Sequence, residues 1–241
     1  MKSTPAIILI HPQLAENIGM TARAMMNCGL YELRLVSPRE DHLSPKAISA
    51  SSGAEKILHN AKIYNSTSDA IADLQQVYAT TARQRHQTKM VYTAEKAAEI
   101  MNTSLQQNIK CGLMFGPERT GLENDDVSLC DAIINIPLNP EHCSLNLSQA
   151  VLLVGYEFFK QNIDTPAEQF IINDTKIANK EKLQHFYNFL EKQLENNRHF
   201  NLDEKKPRML RNLRNIFSRR NLTEQELNTL YGIINYLSSP H

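Results

Sequence analysis

Short apolar runs alternate with helix-like stretches through the first two thirds of this 241-residue chain, and this alternation limits the folds open to it. We predict strands over 6–10, 32–36, 61–64, 76–80, 111–115 and 132–136, and helices over 18–28, 67–74, 93–101 and 145–160. Alternating strands and helices are typical of an α/β domain with a mainly parallel sheet. Ligands of such sheets bind beyond the carboxyl ends of the strands, so we look for functional residues in the loops that follow strands.

The last quarter of the chain carries a purely helical pattern. Apolar residues recur at helical spacing over 183–194 and 227–237, and Thr223 with Glu226 forms a capping-box sequence before the last helix. Apolar residues over 209–217 predict a basic helix between these two. We therefore expect an α/β domain over 1–161, a polar linker over 162–179 and a small helical extension over 180–241.

The net charge of the chain is zero, but the charges are unevenly distributed. Residues 1–160 hold 14 Lys and Arg against 16 Asp and Glu, which gives a net charge of −2. Residues 180–220 hold 11 against 5, which gives +6. A basic segment beside a nearly neutral domain is typical of a nucleic-acid-binding extension, and equally of a solvated helical face.

Several common enzyme classes lack support in the sequence. The eight glycines allow neither a GxGxxG fingerprint nor a Walker A loop. The sequence contains no HExxH pair, no zinc-spaced cluster of cysteine and histidine and no GxSxG elbow. No run approaches the roughly 18 apolar residues of a membrane span, so we expect no membrane partner. The four cysteines form no CxxC pair, which favours a reducing, cytoplasmic setting.

A first polar segment, 11–25, directly follows the first predicted strand. Asn17 is placed to cap the next helix, whose N-terminal amides and dipole favour a nearby phosphate. Arg23 lies six residues further on and therefore faces a different side of that helix. A helix cap with a surface arginine explains the same two residues without any function.

A second segment, 113–122, follows a hydrophobic strand. Gly116 allows a ligand to approach the backbone closely, and Gly121 allows an unusual dihedral angle. Glu118 beside Arg119 is either part of a site or an ion pair on a turn.

A third segment, 136–147, contains two prolines, then Ser144 and Asn146, and leads into a long amphipathic helix. Ser144 is either a functional residue or only the N-cap of that helix. No spacing rule identifies this group as a catalytic set, so the residues alone leave its role open.

Together, in this order and spacing, the three segments resemble the motifs of the SPOUT superfamily of knotted methyltransferases, in its ribose 2′-O-methyltransferase branch. The resemblance extends over residues 5–160 and is carried by 17–24, 115–122 and 144–147. Segments 186–191, 211–220 and 226–232 resemble the C-terminal extension of bacterial tRNA cytidine/uridine 2′-O-methyltransferases that act on nucleotide thirty-two of the anticodon loop.

This resemblance implies a Rossmann-like α/β domain with a deep trefoil knot formed around 112–160, and a homodimer packed through the knot. Knots are otherwise nearly absent from proteins, and no periodicity reveals one. It also implies S-adenosylmethionine (SAM) as the cofactor, bound bent in the knot loops. By matching positions, the cofactor contacts would be Thr80, Thr81, Ala82, Gly116, Ile136, Cys143, Ser144 and Leu145.

For the chemistry, the resemblance points to five polar residues and to no metal. Arg23, from the same or the opposite subunit, is the activating residue; because a guanidinium group keeps its charge, we expect it to stabilise alkoxide charge or to grip a phosphate. Glu118 is the better Brønsted base, or it orients Arg23. Asn17, Ser144 and Asn146 are expected to hold the ribose and the neighbouring phosphate.

The basic extension is expected to bind the body of a tRNA through its phosphates. Two arginines after the fourth predicted strand are expected to add contacts near the site. The RNA-binding candidates are Arg83, Arg85, Arg211, Arg214, Arg219 and Arg220.

Three alternatives remain open. A ribosomal RNA substrate fits the core motifs as well as tRNA does, and only the extension favours tRNA. A knotted RNA-binding module without catalysis would have no reason to keep the five polar residues. An α/β enzyme for small molecules with another cofactor fits the strand pattern but explains neither the motifs nor the extension.

Overall fold

A computed structural model describes residues 3–81, 87–142, 144–166, 168–169, 171–172, 174–196, 206–219 and 221–239. These residues form seven strands and ten helices, and none of the helices is long and apolar enough to cross a bilayer. The chain divides into two compact units, Met1–Thr165 and Pro166–His241.

A single sheet of seven strands forms the centre of the first unit. In chain order the strands are β1 (Ala6–Ile10), β2 (Leu33–Val36), β3 (Lys62–Tyr64), β4 (Gln76–Thr80), β5 (Met90–Thr93), β6 (Cys111–Phe115) and β7 (Ala132–Asn135). Their order in the sheet is β3-β2-β1-β6-β4-β7-β5, and every neighbouring pair is parallel. Strand β6 therefore lies between β1 and β4, and the carboxyl ends of all strands meet at one edge.

Helices cover both faces of this sheet, because successive side chains of a strand point to opposite faces. Ile7 and Leu9 of β1 pack on one face, whereas Ile8 and Ile10 pack on the other. The first face is covered by α1 (Ala15–Asn27), α2 (Pro45–Ser51), α3 (Glu55–His59), α5 (Ala94–Gln106) and α7 (Leu147–Lys160). The second is covered by α4 (Thr67–Ile71) and α6 (Asn124–Ser128).

The six predicted strands are confirmed, each to within one residue at either end. Strand β5, at the edge of the sheet, was not predicted, and Met90 and Val91 are exposed there. Helices α2, α3 and α6 were not predicted either. They have five to seven residues, which leaves little room for an apolar repeat at helical spacing. Helix α4 is equally short, and its prediction over 67–74 extends three residues beyond its end.

The second unit contains α8 (Lys180–Asn196), α9 (Lys206–Ser218) and α10 (Glu224–Ser238). Phe186 is fully buried, with its ring 5.0 Å from that of Phe217 and 5.4 Å from that of Tyr231, both edge-on. The capping box predicted at the start of the last helix is confirmed. Ala178, within the segment expected to be a linker, is buried in this unit and its amide donates to the Leu222 carbonyl at 2.8 Å.

One buried charge stabilises the packing of α4 on the sheet. The guanidinium group of Arg34 in β2 is 1% exposed and donates to Asp73 at 2.5 and 3.2 Å, to Glu32 and to the Ala70 carbonyl. A buried charge is tolerated when it is paired and its donors are satisfied. The hydrogen bond from Arg34 lowers the pKa of Asp73 from 3.8 to about 2.

We predict that Asp73→Asn lowers the free energy of unfolding by roughly 1–3 kcal/mol at neutral pH, because the buried Arg34 loses a charged partner. The pKa of Asp73 is lower in the folded state, so its ionised form stabilises the fold above a pH of about 4. That contribution is lost as the pH falls toward about 2, where the difference between the two proteins should shrink.

Chemical denaturation across this pH range measures both effects. Asp164→Asn, at an exposed aspartate, is the matched control and should leave stability unchanged. An Asp73→Asn protein as stable as the control at neutral pH would contradict the prediction.

Candidate active site

The loops after β4, β6 and β7 meet around one cavity of about 260 Å³. They meet there because the strands end in register: Thr80 pairs with Phe115 of β6 and with Ile134 of β7. The wall is completed by the start of α7, through Leu147 and Ala150. The cavity therefore lies beyond the carboxyl ends of parallel strands, where ligands of α/β proteins bind.

Six of the eight residues that we predicted to contact a cofactor line this one cavity. They are Thr80, Thr81, Gly116, Ile136, Ser144 and Leu145. The remaining two, Ala82 and Cys143, lie outside the described residues. The structure brings together residues from three separate loops, and their role in cofactor binding stays a prediction.

A buried asparagine joins the three polar segments next to the cavity. Asn17 is 4% exposed; its Nδ2 donates to Glu118 Oε1 at 2.6 Å, and its Oδ1 accepts from Asn146 Nδ2 at 2.9 Å. We call Asn17, Glu118 and Asn146 the Asn17 junction. It connects the helix after β1, the loop after β6 and the start of α7. Three of the five predicted catalytic residues form the junction, and a fourth, Ser144, lies in the cavity wall.

Asn17 does not cap α1, so that prediction was wrong. The N-cap residue is Leu14, and Asn17 lies inside the first turn with its side chain directed inward. The backbone N–H of Gln13 donates to Glu118 Oε2 at 3.1 Å, and that of Ala15 donates to Glu40 Oε2 at 3.0 Å. Two carboxylates therefore lie at this helix start, where we had expected a phosphate.

Asn146, rather than Ser144, caps α7. Its Oδ1 accepts from the backbone N–H of Ser148 at 2.9 Å, and Gln149 completes a capping box. The cap fixes the orientation of the Asn146 amide and leaves its Nδ2 for Asn17. Ser144 is exposed and lines the cavity, so the interpretation of Ser144 as only a helix cap is wrong.

Two glycines allow the loop after β6 to fold back on itself. Gly121 has a φ of 67°, as we expected of a residue with an unusual dihedral angle. A Cβ on Gly116 would lie 2.1 Å from the backbone nitrogen of Leu122. The close approach at Gly116 is therefore made by the loop's own backbone, in addition to any ligand.

Arg23 lies apart from this arrangement. It is exposed on α1 and does not line the cavity. The two oxygens of Glu118 accept bonds from Gln13 and Asn17, and Glu118 does not pair with Arg23 of the same chain. The only arginine in the cavity wall, among the described residues, is the exposed Arg119.

The predicted RNA-binding arginines have different surroundings. Arg211 and Arg219 are exposed, whereas Arg214 donates to Glu191 of α8 at 2.5 and 3.1 Å. Arg83, Arg85 and Arg220 lie outside the described residues.

Arg208, which is exposed in α9, was not predicted. The helical period would have identified it, because Arg208 lies one turn before Arg211. Leu138 and Ala150 in the cavity wall were not predicted either. Ala150 lies three residues after Leu147 on the inner face of α7, a spacing that the sequence does show.

The cysteine thiols in the described parts of the chain are structural. Cys28, Cys111 and Cys130 are all buried. Burial raises the pKa of Cys111 to about 11 and that of Cys130 to about 12, so both stay protonated and unreactive near neutral pH. The described residues contain no group of three or more metal-ligating side chains.

Comparisons with known families match both units. Residues 5–156 match the SpoU rRNA Methylase family, and residues 181–240 match the C-terminal domain of the tRNA methyltransferase TrmJ. The tRNA (cytidine/uridine-2'-O-)-methyltransferase TrmJ of Sodalis glossinidius (strain morsitans) is 33% identical, over 95% of this chain and 89% of its own.

Solved structures give the same result. The crystal structure of TrmJ from Z. mobilis ZM4 has a TM-score of 0.86 and 43% identity, covering 98% of this chain and 100% of that chain. The SpoU methyltransferase AviRb from Streptomyces viridochromogenes, in complex with the cofactor AdoMet, has a TM-score of 0.54 and 19% identity, over 67% of this chain and 62% of that chain. The second likeness is one of fold alone.

We predict that Gly116→Ala lowers the free energy of unfolding by roughly 1–3 kcal/mol, because its Cβ would collide with the backbone at Leu122 and open the loop. Thermal unfolding measures this change. Gly232→Ala is the matched control: a Cβ there meets nothing within 4 Å, so alanine should stabilise α10 by up to about 1 kcal/mol. Equal stability of the two variants would show that the loop accommodates the methyl group.

Proposed function

Because the chain belongs to the SpoU rRNA methylase family and carries the C-terminal domain of TrmJ, we propose that it is a tRNA 2′-O-methyltransferase. The Sodalis relative acts on cytidine and uridine of tRNA, so we take these nucleosides as substrates, at nucleotide thirty-two of the anticodon loop. The observation that carries the proposal is the Asn17 junction, which assembles the three polar segments beside one cavity.

The cavity suits SAM. The Oγ1 of Thr80 is buried there without a hydrogen-bond partner among the described residues, so it is left for a ligand. Apolar side chains of Leu138, Leu145 and Leu147 provide a surface for an adenine ring, and the exposed hydroxyl of Ser144 adds a polar contact. A mostly apolar wall with a few polar groups is typical of cofactor sites.

Bound SAM supplies a methyl group activated by a positively charged sulfur. The chain's own task is to hold the ribose 2′-oxygen in line behind that methyl carbon, since positioning lowers the barrier most in such displacements. Ser144, which is exposed in the cavity wall, and the polar edge of the Asn17 junction are the groups placed to orient the ribose.

Glu118 both positions its neighbours and takes up a proton. Its two oxygens accept bonds from the Gln13 amide and from Asn17, and these bonds fix the loop after β6 and the orientation of the Asn17 amide. The same carboxylate lines the cavity and, as the better Brønsted base, accepts the proton that leaves the 2′-hydroxyl as that oxygen is methylated. The charged guanidinium group of Arg23 then stabilises negative charge that develops on the 2′-oxygen.

We propose that Arg23 reaches the cavity of a second copy of the chain. Arg23 is exposed on α1, outside the cavity wall of its own chain. Met20, one turn earlier on the same helix, is exposed as well. Leu152, Leu153 and Tyr156 expose a further apolar surface on α7, which packs beside α1. Exposed apolar side chains on two packed helices indicate an interaction site, and a homodimer would cover them.

We further propose that the chain is knotted over 112–160. Strand β6 lies in the middle of the sheet, β7 lies two strands away, and α7 then returns to pack against α1 and α5. The bond from Asn146 to Asn17 joins the start of α7 to the first motif, 129 residues earlier in the chain. Family membership supports a deep trefoil knot at this return of the chain.

The direct test is transfer of tritium from labelled SAM to unmodified bulk tRNA, followed by nucleoside analysis. We expect label in 2′-O-methylcytidine and 2′-O-methyluridine. Label in ribosomal RNA but not in tRNA would favour the rRNA alternative. Absence of both labelling and cofactor binding would favour a knotted RNA-binding module without catalysis.

We predict that Arg23→Ala lowers methyl transfer about a hundredfold or more and leaves SAM affinity unchanged, because Arg23 acts on developing charge. Transfer rates and cofactor titration measure the two effects. Lys56→Ala, which removes an exposed charge from α3, is the control and should have no effect.

Mixed dimers show from which subunit Arg23 acts. Arg23→Ala subunits mixed with Glu118→Gln subunits regenerate one intact site per heterodimer only if Arg23 crosses to the partner. Random mixing should then restore about a quarter of the wild-type activity. No restoration would place Arg23 in its own subunit's site.

Removing the second unit, by ending the chain after Thr165, should weaken tRNA binding about tenfold or more and leave SAM affinity intact. The loss follows from removal of exposed cations, including Arg211 and Arg219. Filter binding and calorimetry measure the two affinities. Equal tRNA affinity of the shortened chain would exclude the extension as the tRNA-binding element.

A further inference from the structure

Exposed polar residues form a continuous row along one face of α9, and the row extends just past the C-terminal end of this helix. On the other side of the helix, Met209, Leu213 and Phe217 are half-buried, and Phe217 packs against the core of the second unit. At about 100° per residue, the exposed row occupies an arc of roughly 100°. Its members are Arg208, Arg211, Asn212, Asn215 and Arg219.

The arginines of this row take part in no ion pair among the residues that the structure describes. The neighbouring acids of α8 pair with other cations: Glu191 with Arg214, and Glu195 with Lys206. The three positive charges of the row are therefore not neutralised by neighbouring acids, and they are complementary to a polyanion.

The two asparagines in the middle of the row are unfavourable for the helix itself. Asn is less favourable than Ala in a helix interior, because its side chain competes for backbone hydrogen bonds. Asn212 and Asn215 are exposed, so packing does not explain them. Residues that break a local rule without a structural gain are expected at functional positions.

We propose that this row binds a double-helical stem of RNA, with the arginines on phosphates and Asn212 and Asn215 on ribose 2′-hydroxyls. This proposal rests on the proposed function and adds to it the residues that distinguish RNA from DNA. Along α9 the amides lie between cations, and Arg208 and Arg219 are about 16 Å apart at the ends of the row.

The hydrogen-bonding groups of arginine and asparagine explain why we assign arginine to phosphates and asparagine to 2′-hydroxyls. Arginine only donates hydrogen bonds, which suits phosphate oxygens, whereas an amide both donates and accepts, as a 2′-hydroxyl does. Helical RNA displays its 2′-hydroxyls in a wide, shallow minor groove that is open to side chains. DNA lacks this group, so amide contacts give a preference for RNA that phosphate contacts cannot give.

The test uses the full chain and hairpin probes of one sequence, whose stems contain either ribose or deoxyribose. The wild type should bind the ribose stem roughly tenfold more tightly, as expected for two hydrogen bonds. Asn212→Ala combined with Asn215→Ala should remove this preference and leave affinity for the deoxyribose stem unchanged. Alanine favours the helix, so thermal unfolding of this variant should show no loss of stability.

Two matched variants complete the experiment. Asn228→Ala with Asn235→Ala, at exposed positions of α10, should retain the preference. Arg208→Gln with Arg211→Gln and Arg219→Gln should weaken both probes equally and reduce the salt dependence of binding by up to about three phosphate contacts. An unchanged ribose preference in the Asn212 and Asn215 variant would overturn the proposal, as would equally effective competition by an acidic peptide.

Methyl transfer to tRNA, measured with the same proteins, separates this proposal from the function on which it rests. A wild type that methylates no tRNA would refute the proposed function, whatever the hairpins show. A wild type that methylates tRNA, with a ribose preference that survives in the Asn212 and Asn215 variant, would refute only the role of the α9 row.

Discussion

The site depends on one buried amide, that of Asn17. An amide group that is buried without hydrogen-bond partners lowers the free energy of unfolding by about 1–3 kcal/mol. Asn17 and its two partners therefore fix one another's orientation. Glu118 accepts from its nitrogen, and Asn146 donates to its oxygen. Asn146 is in turn oriented because it caps α7. The helix after β1, the loop after β6 and the start of α7 are thus joined by hydrogen bonds of fixed direction, so a change in one of them alters the other two.

This arrangement fixes Glu118 among its neighbours and leaves Arg23 apart from them. Glu118 is committed to Asn17 and Gln13, and its carboxylate lies at the N-terminus of α1, where it also interacts favourably with the helix dipole. Arg23, two turns further along the same helix, is exposed and does not line the cavity of its own chain. The proposed homodimer explains both features. A second copy covers the exposed side chains of Met20 and Tyr156, and its cavity takes up Arg23.

The helical unit divides its charges in a comparable way. Glu191 and Glu195 of α8 pair with Arg214 and Lys206, which stabilises the contact between α8 and α9. Exposed ion pairs of this kind contribute little, about 0–1 kcal/mol each. Their larger consequence is that the exposed cations of α9 keep one face of the helix positive. The basic residues of this segment therefore have two roles in the folded protein. Lys206 and Arg214 form ion pairs between helices, whereas the exposed row of α9 provides a surface for an anionic partner.

The sequence by itself determined the elements whose signal is local. Apolar runs predicted six strands, the capping box of Thr223 and Glu226 predicted the start of α10, and the motif glycines marked the loop after β6. Helices α3 and α6 span fewer than two turns, and no apolar period predicted them. Only the tertiary structure decided that Asn17 bridges two loops instead of capping α1, and that Arg214 pairs with Glu191. The reason is distance along the chain: the partners of Asn17 lie 101 and 129 residues away, and no local pattern records which strands become neighbours in the sheet.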